Sequence, residues 1–74
     1  MKELEIVVLT EDVPEEGLKR GDVGTIVLVP YSGEGYEVEF TDDAGDTVAV
    51  ASLTPSQVRP ALESEIRRPR VPAA

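Results

Sequence analysis

The chain has no cysteine, no histidine and no tryptophan among its 74 residues, and its only aromatics are Tyr31, Tyr36 and Phe40. Without cysteine there is neither a disulfide nor a thiolate metal site. Extracellular domains this small usually depend on such staples, so a cytoplasmic location is expected. Without histidine or cysteine the commonest general bases and nucleophiles are missing. A non-enzyme with no cofactor and no bound metal is therefore expected. No apolar run approaches the ~20 residues that cross a bilayer. Met1–Thr10 alternates charge with hydrophobe and lacks the apolar centre and small-residue cleavage site of a signal peptide. A soluble protein without membrane attachment is expected.

What is abundant is acid. The formal net charge is −8, with thirteen acidic against four basic residues through Pro60. Beyond it, Glu63 and Glu65 stand against Arg67, Arg68 and Arg70, so the tail is slightly basic. An acidic domain repels nucleic-acid phosphates, whose binding rests on Lys and Arg. Two readings of the acid stay open: solubility, or a face that meets a basic protein.

A chain of this length makes one domain and buries only roughly 60% of its unfolded surface. The apolar fraction is 41%, and with so few aromatics the core falls to Val, Leu and Ile. Leu4–Leu9 reads as a first strand, followed by an acidic connector over 10–17 that holds Pro14 and Gly17. Leu18 is the one apolar residue at the connector's end and reads as an anchor folding back onto the core. Gly21-Asp22-Val23-Gly24 then launches a strand over Thr25–Val29. The two glycines suit positive φ or close backbone approach, and Asp22 suits a turn in which it accepts from backbone N–H groups.

The strand over Thr25–Val29 stops at Pro30, and Tyr31-Ser32-Gly33-Glu34-Gly35 reads as a hairpin loop. In Gly35–Phe40, Tyr36, Val38 and Phe40 point one way and Glu37 and Glu39 the other, a half-buried strand with a negative outer face. Thr47–Ala51 pairs back, Val48 and Val50 alternating with Ala49 and Ala51. Its second face is either close-packed or plain. Thr54 caps a single helical turn opening at Pro55, and Val58 returns to the core in a very short last strand. Five short strands without a long helix predict an all-β barrel over residues 1–60. Residues 61–74 form a tail, weakly helical over Ala61–Arg68 and otherwise frayed.

Val7–Val27, which contains Leu-Lys-Arg-Gly-Asp-Val-Gly-Thr-Ile-Val, then Gly-Tyr-Glu-Val-Glu-Phe at 35–40 and Leu-Thr-Pro-Ser-Gln-Val-Arg-Pro at 53–60, resembles the small bacterial domain-of-unknown-function family 4926. The resemblance covers about Leu4 to Pro60. It implies an SH3-like barrel of five strands with a single-turn helix before the last, and no established activity. The Gly-Asp-x-Gly-x-Ile-Val pattern is also similar to KOW modules and to the photosystem I accessory barrel. Those barrels bind RNA, ribosomal or polymerase surfaces, or photosystem subunits. Family members that stand alone as short proteins imply a partner encoded nearby, a toxin among the possibilities.

Other motifs have plainer readings. Asp42, Asp43 and Asp46 share one turn but lack the spacing and distal Glu of a calcium loop. Lys19–Gly24 lacks the order of a phosphate-cradling loop, and Asp22 opposes an anion. The turn at Gly21, Asp22 and Gly24 is therefore structural. SH3-like barrels commonly bind between the loop after strand one and the next hairpin loop. By that resemblance the contact residues are Glu11, Asp12, Glu15, Glu16, Leu18 and Tyr31, facing a basic, partly apolar protein. The expected function is a non-catalytic interaction module, in its most concrete form the acidic antitoxin or immunity partner of a basic toxin or nuclease. The alternative is a KOW-like nucleic-acid-associated or accessory-subunit barrel. The Arg-rich tail is left with three fates: folding onto the acidic face, docking to a neighbour, or hanging free.

Overall fold

The structure is a computed structural model that describes residues 1–31, 34–42 and 44–66. Five strands form: β1 (Ile6–Leu9), β2 (Val23–Leu28), β3 (Tyr36–Thr41), β4 (Thr47–Leu53) and β5 (Val58–Pro60). All pairings are antiparallel, in the order β4-β3-β2-β1-β5. A 3-10 turn over Pro14–Glu16 lies in the connector, a second over Pro55–Gln57 precedes β5, and a four-residue helix α1 (Glu63–Ile66) follows it. The fold is all-β, as expected, and the strand order with its turn before β5 is consistent with the SH3-like arrangement. The part of the predicted tail helix beyond Ile66 lies outside the described residues.

One core cluster takes Val7 and Leu9 from β1, Ile26 from β2, Val38 and Phe40 from β3, Ala51 and Leu53 from β4 and Val58 from β5. Strands at opposite ends of the pairing order meet there, so the sheet curls around a single core. Among the described residues the ladder is not closed by pairing between β4 and β5.

The alternation expected for β3 is realised: Val38 and Phe40 are buried and Glu37 and Glu39 lie on the other face. β4 is the informative case, because its alanines face inward and its valines outward. Ala51 is buried, whereas Val48 and Val50 are 58% and 51% exposed. Register explains the inversion. Ala49 lies opposite Phe40 and Ala51 opposite Val38, so the large β3 side chains leave room only for methyl groups across the ladder.

β1 starts two residues later than predicted. Leu4 has φ 71, a left-handed conformation that an L-residue cannot carry into a strand. Its N–H donates to the Ile26 carbonyl at 2.7 Å, so the chain still enters beside β2.

Candidate functional site

The two glycines of the β1–β2 turn do separate jobs. Gly21 has φ 94, where a side chain is strained. Gly24 lies in β2, and a Cβ there would sit 2.7 Å from Val38 Cγ1, 2.8 Å from Phe40 Cε2 and 2.9 Å from the Glu39 carbonyl oxygen. Asp22 Oδ2 accepts from the Lys19 N–H at 2.9 Å, and the Gly21 N–H donates to the Leu9 carbonyl at 3.0 Å. One of these bonds closes the turn on itself and the other ties it to the end of β1.

The acidic connector is more folded than a loop. Val13 and Leu18 form an isolated antiparallel bridge, and each is only 4% exposed. Leu18 is thus the core anchor, and its placement among the contact residues is corrected: a side chain with that little surface cannot meet a partner. Val13, which sequence reasoning passed over, is its equal. Its signal was an apolar residue set five positions before Leu18 across the turn at Pro14–Gly17. Asp12 Oδ1 accepts from the Arg20 N–H at 2.8 Å, and Glu11 Oε2 accepts from Gln57 Nε2 at 3.1 Å. Both acids therefore tie the connector down, while Glu15 and Glu16 stay exposed on the 3-10 turn.

That Gln57 bond joins the connector to the second 3-10 turn. The Thr10 N–H donates to the Gln57 carbonyl at 2.8 Å and Thr10 Oγ1 to the Ser56 carbonyl at 2.8 Å. Gln57 Oε1 in turn accepts from the Thr54 N–H at 2.8 Å, the returning arm of a capping box. Thr54 then borders a shallow pocket of about 230 Å³ whose walls include Pro30, Tyr36, Glu37, Ser52 and Leu53. Tyr31, next to Pro30, is fully exposed. The turn at Pro55–Gln57 thus has the acidic connector bonded to one side and the Tyr31 loop across the pocket on the other.

The outer face of β3 and β4 carries unbalanced charge. Glu37 and Glu39 accept hydrogen bonds from the Ser52 and Thr47 hydroxyls across the ladder. At the other end of the pairing order Arg59 of β5 pairs with Glu65, a forked contact at 2.9 and 2.8 Å. Hydrogen bonding to Glu65 holds the Arg59 guanidinium above its ordinary pKa. In the β3–β4 turn Asp42 Oδ1 accepts from the N–H groups of Ala44 and Asp46, both at 2.9 Å, which makes Asp42 a turn residue. Asp43, expected in the same cluster, lies outside the described residues. Among those residues no helix is long and apolar enough to cross a membrane.

The family model described as "Domain of unknown function (DUF4926)" matches residues 3–60, so the chain belongs to that family. No curated protein and no solved structure matches it.

Proposed function

From this membership in DUF4926, with the fold and surface just described, we propose that the protein is a non-catalytic interaction module for a basic protein partner. The observation that carries the reading is the fully exposed Tyr31 beside an apolar-floored pocket, on a molecule of net charge −8. An exposed tyrosine offers a large amphipathic contact at low entropic cost, and surrounding acid steers a cationic partner toward it. Glu15 and Glu16 are the exposed acids of the connector that contribute to that field, since Glu11 and Asp12 are engaged in holding the connector. The most concrete form is the acidic, neutralising member of a bacterial pair, set against a toxin or nuclease in the cytoplasm. A nucleic-acid ligand gains nothing from this surface, because its phosphates meet carboxylates.

The test is co-purification from the organism that makes the protein, with mass spectrometry, in parallel for wild type and for a Tyr31→Ala, Glu15→Lys, Glu16→Lys variant. The expected result is one stoichiometric basic protein, depleted with the variant. Recovery of no stoichiometric protein, or of one indifferent to the three substitutions, contradicts the reading.

A further inference from the structure

β4 ends the pairing order and runs for seven residues, Thr-Val-Ala-Val-Ala-Ser-Leu. It contains no charge and no proline, the two devices that most often stop an edge strand from pairing again. No backbone group of Thr47–Leu53 bonds to anything but β3 among the described residues. Among those residues its outward-facing N–H and C=O groups have no partner. Val48 and Val50 stand on the outer face of this edge. One strand further in, Glu39 lies opposite Val50 and Glu37 opposite Ser52, with Leu28 of β2, 50% exposed, opposite Glu37 again.

We propose that the free edge of β4 accepts an extended segment of the partner protein as a sixth strand, and that this segment alternates Lys or Arg on its outer face. Backbone pairing supplies the docking and the alternating side chains the choice of sequence. A basic side chain on the added strand lies beside Val50 or Ser52. Its apolar stem covers Val48 and Val50, and its charged head reaches across β4 toward Glu39 or Glu37. Adjacent strands are ~4.8 Å apart, so that head has two strand spacings to cross, within the combined reach of Arg or Lys and Glu. Charge decides the occupant. A second copy pairing through its own β4 would bring another −8 and no cation on that strand, whereas a cationic strand neutralises two carboxylates that here hold only hydroxyl partners. The sign of the partner is taken from the proposed function; the surface is a different one.

The experiment uses the full chain and an end-capped peptide of alternating lysine and valine, followed by NMR amide exchange and titration. Expected are slowed exchange at alternate amides of Val48–Ser52 and shifts centred on β4. N-methylation of the peptide amides that face β4 should abolish binding, with the protein untouched. Val50→Lys, which places an ammonium beside Glu39, should weaken binding by about tenfold, a single well-placed contact, and Val50→Thr should retain it. Four results overturn the proposal: no binding; binding insensitive to N-methylation; β4 amides already protected in the peptide-free chain, through a second copy if protection rises with concentration or through the chain's own Arg-rich segment if it does not; and shifts centred on Glu15, Glu16 and Tyr31. The last leaves the proposed function standing, while a captured partner indifferent to those three residues defeats that function and leaves β4 as the site.

Discussion

At one edge of the sheet β5 runs for three residues and closes on Pro60; at the other β4 runs for seven without charge or proline. On the inner side of β5 the Ala61 N–H continues the pairing with β1, donating to the Ile6 carbonyl at 3.0 Å. The β5 edge itself is blunted: Pro60 has no N–H, its carbonyl accepts from Arg59 Nη1 at 3.2 Å, and Arg59 is forked onto Glu65 of α1. It also flanks the best-buried strand, whose Val7, Val8 and Leu9 are at most 2% exposed. β4 flanks β3, whose outer face is two unbalanced glutamates. Both sides feed the one core, β5 through Val58 and β4 through Ala51 and Leu53, so the two edges differ in unblocked length and not in burial.

The strongest way to break the comparison is to disturb what both sides share. Gly24→Ala in β2 drives a methyl into Val38, Phe40 and the β3 backbone. It should cost about 3 kcal/mol in urea unfolding, loosening both edges together. Gly21→Ala, strained in conformation with open space around it, should cost about 1–2 kcal/mol.

A matched pair of truncations sharpens the contrast. Val58→Ala removes buried surface from β5, where the side chain is 4% exposed, and should lower stability by about 2 kcal/mol. Val50→Ala on β4 should stay within about 0.5 kcal/mol, because half of that side chain already meets water. Equal losses in thermal or urea melts would contradict the placing of Val58 in the core and Val50 on the outer face. The smallest effect belongs to the surface pair. Glu65→Gln should leave the melting temperature nearly unchanged at high salt, lower it slightly at low salt, and speed exchange at Ile66 and Ala61.

These expectations also mark how much could be read before the fold was known. The β1–β2 turn was legible because its chemistry is local: a left-handed glycine and an aspartate bonded within three residues need no tertiary partner. The β3 faces were legible because Glu37 and Glu39 alternate strictly with apolar residues. β4 was not, since valine and alanine are both apolar and only the register against Phe40 and Val38 decides which turns inward. Leu18 was read both as a core anchor and as a contact, and Val13 missed, because their bridge spans a turn whose shape is set by tertiary packing. Leu4 reads as a strand residue because it opens the mostly apolar run that ends at Leu9, and its positive φ accompanies the chain's entry beside Ile26. At the candidate site the exposed Tyr31 and the acid were visible in the sequence. The Glu11–Gln57 bond was not, for it joins positions 46 residues apart.

Amide exchange across the two edges, measured on the full chain alone and then with the alternating lysine–valine peptide, tests the central claim most directly. The asymmetry predicts fast exchange at alternate β4 amides, slow exchange at Ala61 throughout, and a peptide-induced slowing confined to β4. Protection of β4 in the free chain, or peptide protection on the β5 side, would contradict it.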